Sequence, residues 1–377
     1  MLLLEKILHS KKLSYDTLMP LVKPYINNKT IITGTDREYN TVNIFIDFWD
    51  IVKSLYNPQT LETMNSLKQR ERFMIASEVI NIIGHYRHFF YSRLKMYTNF
   101  VFYYSDKRDT RLTNIDKNYR SSFYEKRLDD KNQTFGLFNN MVKKNVHIIK
   151  LFCEYVPHAY FIKTDEMDPR LVPHLFLSEN SRLKQNIINK NDMNIIISNE
   201  KIHYQDLNLQ DRILQLELRG KEKSRFVASE DIIDILLEKS KKDYYFSILP
   251  DMYSLLVSLT GYKDYDISSI KKMGNIKALN FIQKCIDNNI LKNIEYNNTD
   301  LLNGLRDELG EENLKELYKN MQLLNNNLYN FSNKDIINIE SQLFDRIDAE
   351  SVKFVNSKYF DRYPILLEYV FEGEKYE

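Results

Sequence analysis

The stretch that decides the fold is Pro250–Leu279, which reads PDMYSLLVSLTGYKDYDISSIKKMGNIKAL. Leucines at helical spacing end at Gly261, and Gly274 precedes a second apolar segment. Glycine lets a phosphate approach the main chain, and amides at a helix start attract anions. The stretch therefore predicts an element that holds a nucleic-acid backbone without reading bases, or else a helical hairpin with a solvated basic loop. Four lysines surround its turns: Lys263, Lys271, Lys272 and Lys277.

The composition favours a folded protein without an overall basic surface. The chain has 377 residues, of which 53 are Lys or Arg and 52 are Asp or Glu, so any basic surface must be a local patch. With only 9 Gly and 8 Pro, we expect little disorder.

Two features of the sequence bear on location. Cys153 and Cys285 lie far apart and outside any metal-binding spacing, which favours a reducing compartment. The opening MLLLEKILHSKK is too short an apolar run to span a membrane. We therefore expect a cytoplasmic protein, in the host cytoplasm if it is viral, with no membrane partner.

Apolar runs of strand length alternate with helical stretches over the first 240 residues. The clearest runs are Val42–Asp47, Phe100–Tyr104, Tyr160–Ile162 and Asn194–Ser198, and every strong signal after about residue 240 is helical. This order predicts an α/β fold in which a central, mostly parallel sheet is flanked by helices and followed by a helical region. The expected parts are a helical extension (1–38), an α/β core (39–240) with an arch around 107–145, a helical DNA-binding region (241–345) and a tail (346–377).

An acid follows each predicted strand. Because the carboxyl ends of parallel strands meet at one edge of a sheet, these acids are expected to gather there. Carboxylates that converge on one cleft are what Mg²⁺ requires, although any one of them could instead cap a helix. The candidate ligands are Asp47, Asp106, Glu166, Asp168 and Glu200.

The opening stretch resembles the helix–three-turn–helix element of the 5′-nuclease superfamily, which includes flap endonucleases, 5′-3′ exonucleases and phage RNase H enzymes. The family pattern is roughly Leu-x-Gly-Asp-x-x-Asp-Asn-Ile-x-x-Ile-x-x-hydrophobic-Gly-x-x-x-Ala. The matching positions in this chain are Gly261, Ile267, Ile270, Gly274 and Ala278. A later run, LYKNMQLLN at 317–325, resembles a late helix of T-even phage RNase H.

The resemblance implies a metal site made by the strand-end acids, and this chain keeps only part of it. The positions that hold a first ion carry Asp47, Asp106, Glu166 or Asp168, and Glu200. The family's remaining acids are replaced by Pro169, Ile202, Tyr262 and Tyr265. We therefore expect Mg²⁺ or Mn²⁺ at one site, and a second site without its carboxylates. Asp264 and Asp266 would restore two acids only if the turn slipped by one residue.

The family also has an arch with a Tyr-Lys-x-x-Arg-like stretch that meets the scissile phosphate. Lys126 and Arg127 resemble its cationic pair, with Arg120 and Tyr124 nearby as further DNA-binding residues. The alternative is a solvated basic loop.

Three functions fit these features. The first is a metal-dependent 5′-nuclease in viral or phage replication, acting on DNA or an RNA–DNA hybrid with a 5′ end or flap, beside replication proteins. The second is a degenerate nuclease kept as a nucleic-acid-binding or scaffold subunit. The third is a toxin-like ribonuclease, which would not need the DNA-binding element.

Overall fold

The computed structural model describes residues 41–50, 96–105, 107–122, 158–178, 193–207, 213–217, 225–232, 250–271, 273–288 and 299–344, with some isolated positions between these ranges. Within these residues, no helix has the length and apolar character needed to cross a membrane.

A six-stranded sheet forms the centre of the fold, with the order β3-β2-β1-β4-β5-β6. Five strands are parallel to their neighbours, and β6 pairs with β5 in the antiparallel direction. The strands are β1 (Thr41–Asp47), β2 (Tyr97–Tyr104), β3 (Ala159–Lys163), β4 (Met193–Ile197), β5 (Ile213–Glu217) and β6 (Arg225–Val227). The predicted mostly parallel α/β sheet is thereby confirmed.

A buried asparagine ladder fixes the register of the three central strands. Asn43 on β1 lies opposite Asn99 on β2 and Asn194 on β4. Asn99 Nδ2 donates to Asn43 Oδ1 at 2.8 Å, and Asn43 Nδ2 donates to Asn194 Oδ1 at 3.1 Å. A slip of one residue would leave these buried amides unpaired, so the ladder favours a single pairing.

Helices surround the sheet and continue beyond it. In chain order they are α1 (Thr110–Ile115), α2 (Leu171–Leu177), α3 (Pro250–Thr260), α4 (Asn275–Asp287), α5 (Thr299–Leu309), α6 (Glu311–Leu324) and α7 (Asn333–Phe344). The helical character expected after residue 240 is therefore found in every described element from α3 onward. The buried faces of α3, α4 and α6 join the same apolar core as the sheet.

Two features of the fold were not predicted. The short strands β5 and β6 were missed, because five and three residues are too few to show a clear period. The turn between α3 and α4 contains a single 3₁₀ turn, Lys263–Tyr265, closed by backbone pairing of Tyr262 with Ile267.

Candidate functional site

Two aspartates lie at the end of β1, and one of them, Asp50, joins this end to the end of β4. Asp47 Oδ1 accepts the backbone amide of Trp49 at 2.9 Å, which caps the helical turn that follows β1. Asp50 Oδ2 accepts the Ser198 hydroxyl at 3.0 Å and the Asn199 amide at 2.6 Å. Asp47, a predicted ligand, and Asp50, which was not predicted, thus both act as hydrogen-bond acceptors at this edge of the sheet.

Arg120 lies between two of the predicted metal ligands. Its Nη1 is 3.0 Å from Asp168 Oδ2 and 3.1 Å from Asp168 Oδ1, and its Nη2 is 3.0 Å from Glu200 Oε1. Arg120 is 5 % exposed and Asp168 is 2 % exposed, so this ion pair is shielded from solvent. The structure therefore joins the third and fourth strand ends through a guanidinium.

Two tyrosines complete the contacts of these acids. The Tyr119 hydroxyl donates to Asp168 Oδ2 at 2.7 Å, and the Tyr265 hydroxyl donates to Glu200 Oε2. The Tyr265 ring also faces two guanidinium groups, with Arg120 Cζ 4.4 Å and Arg170 Cζ 4.8 Å from its centroid. Such close cation–π contacts are strongest where water is excluded.

The charges around the cluster act on the acidity of its members. Burial raises the pKa of Asp168, but the guanidinium groups of Arg120 and Arg170 and the Tyr119 hydrogen bond together hold that pKa below its ordinary value. Burial, together with the negative charge of Glu200, raises the pKa of Tyr265 well above its ordinary value. Asp168 is therefore a carboxylate at neutral pH, and Tyr265 is a neutral hydrogen-bond donor.

The remaining predicted ligands do not join this cluster in the described part of the chain. Glu166 is exposed and pairs with Lys334, with Glu166 Oε1 3.0 Å from Nζ. Five other predicted site residues lie outside the described residues: Asp106, Lys126, Arg127, Tyr124 and Lys272.

In the turn between α3 and α4, a tyrosine rather than an aspartate contacts Glu200. Tyr265 is fully buried, and its hydroxyl donates to Glu200 Oε2. Asp264 is exposed. Asp266 adopts the left-handed conformation with φ 58°, and its carboxylate accepts the amide and hydroxyl of Ser122 at 2.8 and 2.6 Å. Neither aspartate replaces the missing acids.

The outer face of this turn is open and basic. Lys263, Lys271 and Lys277 are exposed, and none of them pairs with a described acid. Gly274 caps α4 without a side chain, so the first amides of the helix lack both intrahelical partners and a side-chain cap. We define the exposed lysines and this helix start as the lysine face.

Asn320 holds the turn in place from α6. Its Nδ2 donates to the carbonyl oxygens of Ser258 at 2.9 Å and Ser268 at 3.0 Å, one on each side of Gly261. Gly261 itself has φ 74°, and an added Cβ would lie 2.4 Å from the amide nitrogen of Ser269. The late run LYKNMQLLN thus supports the turn between α3 and α4 structurally, with Asn320 as the contact residue.

The arrangement of the described acids does not suit a divalent metal. Both oxygens of Asp168 and both oxygens of Glu200 already accept hydrogen bonds from Arg120, Tyr119, Tyr265 or the backbone. Among the described residues there is no group of three or more His, Cys, Asp or Glu side chains placed to hold an ion. A magnesium ion would need to displace Arg120 first.

Arg120 was predicted to contact DNA, and Arg170 was not predicted as a site residue. Arg120 is instead buried against the acids, and its backbone amide donates to the Tyr265 carbonyl at 2.9 Å. Arg170 is buried, and its Nη2 donates to the carbonyl of Leu323 at 2.5 Å.

Comparison with known proteins supplies structural neighbours only. No family model and no curated protein matches the sequence. The solved structures that match include bacteriophage T5 flap endonuclease in a pseudo-enzyme-product complex with DNA and metal ions. That match has 11 % identity and a TM-score of 0.52, and it covers 87 % of this chain and 99 % of the other. A second structure, the T5 5′-exonuclease with bound zinc, matches over the same shares at 13 % identity and a TM-score of 0.48. The chain therefore has the fold of the 5′-nuclease superfamily, as its helix–three-turn–helix resemblance implied.

Proposed function

We propose that this protein binds duplex or branched DNA near a 5′ end and serves as a nucleic-acid-binding subunit without metal-dependent cleavage. The observation that carries the proposal is the Arg120 ion pair with both Asp168 and Glu200. These acids would otherwise be free to hold a metal. The same proposal includes a role in viral or phage DNA replication, with replication proteins as partners.

The lysine face supports the DNA-binding part of the proposal. It combines exposed lysines that have no acidic partner among the described residues with a helix start whose amides are free to meet a phosphate. Contacts of this kind neutralise backbone phosphates and release counterions, so they bind without sequence preference. We propose that residues 241–345 supply this grip and that residues 39–240 form the nuclease-like core.

The test is DNA binding by fluorescence anisotropy with a labelled 5′-flap duplex over a range of salt concentrations. Each lost phosphate contact makes the plot of log K against log salt less steep by about 0.9. The triple variant Lys263→Ala, Lys271→Ala, Lys277→Ala is expected to bind roughly tenfold or more weakly, with a slope smaller by about 3.

The control carries the same change in charge away from the lysine face. Lys284, Lys319 and Lys334 each form an ion pair with an acid on the protein surface. Their triple alanine variant is expected to bind DNA with nearly the wild-type slope. Equal affinity and equal slope for the wild type and the lysine-face variant would contradict the proposal.

A second candidate is a metal-dependent 5′-nuclease, using Mg²⁺ or Mn²⁺. It is favoured by Asp47 at the end of β1, and by the T5 flap endonuclease of the same fold, which was crystallised with DNA and metal ions. In this candidate, Arg120 would leave the acids when substrate binds. Cleavage of a 5′-flap substrate with either metal, lost in Asp47→Asn, would favour it over DNA binding alone.

A further inference from the structure

The acid cluster contains its own cations. Asp168 and Glu200 contribute two carboxylates, and Arg120 and Arg170 contribute two guanidinium groups, of which only Glu200 is partly exposed. Mg²⁺ would bring two positive charges to such a pair of acids. We propose that the guanidinium of Arg120, supported by Arg170, is the resident cation of this site and takes the place of the metal ion. The inference rests on the proposed function, because it names the group that replaces the metal ion in a protein proposed to bind DNA without cleaving it.

The position of Arg120 is set by its backbone as well as by its charge. Its φ is 52°, a left-handed conformation that a non-glycine residue adopts only where its surroundings hold it. The Tyr265 carbonyl holds the Arg120 amide, and Ser122, two residues later, holds Asp266 on the same turn. The segment that carries Arg120 is thus attached to the turn between α3 and α4 at two points.

The Tyr265 ring packs against both guanidinium groups. Its ring faces Arg120 and Arg170, while its hydroxyl donates to Glu200. The Tyr119 ring packs edge-on against Tyr265 with centroids 5.6 Å apart, and Arg170 also lies 6.0 Å from the Tyr119 ring. An aspartate at 265, as in the family pattern, would offer neither the ring nor the donor.

The missing acids and the two arginines compensate each other in charge. Pro169, Ile202, Tyr262 and Tyr265 replace acids of the family pattern, and they remove negative charge from the surroundings of the site. Arg170, next to Pro169, places a buried positive charge beside Asp168. With fewer acids and two guanidinium groups, the cluster is balanced in charge without an ion from solution.

Thermal unfolding in EDTA and in millimolar Mn²⁺ tests the inference. The wild-type midpoint is expected to be the same in both. Arg120→Met leaves two carboxylates facing each other, so its midpoint is expected to fall in EDTA and to rise by about 5 °C when Mn²⁺ takes the vacated position. Arg225→Met is the matched control, because Arg225 pairs with the buried carboxylate of Glu217 away from this cluster. It is expected to be destabilised without a response to Mn²⁺.

Two outcomes contradict the inference. One is a Mn²⁺-dependent rise in the wild-type midpoint that Glu200→Gln abolishes, which would place a metal in the intact cluster. The other is a folded Arg120→Met protein with no response to Mn²⁺. If Arg120→Met does not fold, the comparison of wild type with Glu200→Gln still decides. DNA binding by the lysine face is measured separately, so a failure here would leave the DNA-binding part of the proposed function standing and would remove the support for the absence of cleavage.

Discussion

The hydroxyl of Tyr265 donates a hydrogen bond to Oε2 of Glu200, and the two residues come from the α3–α4 turn and the end of β4. A metal-binding version of the site would need two carboxylates at these positions, which would repel each other without an ion. Here a neutral phenol meets a carboxylate, so the contact is favourable in the metal-free protein. The α3–α4 turn and the sheet edge are thereby joined by a direct hydrogen bond.

Removing the Tyr265 hydroxyl should weaken this junction while keeping the ring. We expect Tyr265→Phe to lower the free energy of unfolding by about 1.5–3 kcal/mol, because a buried hydrogen bond to a charged group is lost. Tyr265→Leu should cost more, since the ring facing Arg120 is also lost. Urea unfolding of both variants measures the difference, and equal losses would show that the cation–π contacts add nothing.

The two glycines of the turn between α3 and α4 should respond differently to a methyl group. Gly261→Ala places Cβ against backbone atoms of Ile267, Ser268 and Ser269 at a positive φ, so we expect a loss of more than about 3 kcal/mol. Gly274→Ala has open space around it and serves as the control, with an expected cost of at most about 1 kcal/mol as a helix cap. Similar unfolding midpoints for the two variants would contradict the turn geometry.

Asn320 should matter more than its helical position alone suggests. Asn320→Ala leaves two carbonyl groups in the turn without their donor, and we expect a loss of about 1–3 kcal/mol together with weaker DNA binding. Asn313→Ala is the control on the same helix, because its amide bonds only the carbonyl of Leu309 within one turn. An unchanged affinity for DNA in a folded Asn320→Ala protein would show that the turn held by Asn320 does not contribute to DNA binding.

A buried aspartate should make stability fall in acid. Burial raises the pKa of Asp206, but hydrogen bonds from His174 and His203 lower it to about 2, below the ordinary value of about 3.9. A depressed pKa in the folded state gives stability that is present above about pH 4 and is lost as the pH falls towards 2. The contribution is about 2–3 kcal/mol.

The measurement is urea unfolding at a series of pH values from 6 down to 2, taken as an approximate range that spans both pKa values. Asp206→Asn should be less stable near neutral pH and should lose less stability between about pH 4 and 2 than the wild type. Asp264→Asn, at an exposed position, should keep the wild-type slope. If the free energy of unfolding of Asp206→Asn fell with pH as steeply as that of the wild type, Asp206 would not be the source of the acid dependence.

The sequence predicted the sheet well, because buried parallel strands are continuous apolar runs that end in polar residues. Val42–Asp47 and Asn194–Ser198 are such runs. The structure places strands at Thr41–Asp47 and Met193–Ile197, so three of the four predicted boundaries differ by one residue and the end at Asp47 is the same. The short β5 and β6 lack such a signal. The expected domain boundaries and the arch cations remain predictions.

The acid site could be predicted only in part. That acids follow the strands is a local property of sequence, and Asp168 and Glu200 do share a partner. The partner itself depends on a contact across 80 positions, and no periodicity reveals which cation occupies the space between two carboxylates.

The most direct test of the account is a crystal structure of the protein with Mn²⁺ present, read by its anomalous scattering. The account predicts the Arg120 guanidinium between Asp168 and Glu200, with no Mn²⁺ peak bonded to either carboxylate. A Mn²⁺ ion bound by both carboxylates, with Arg120 displaced, would contradict it.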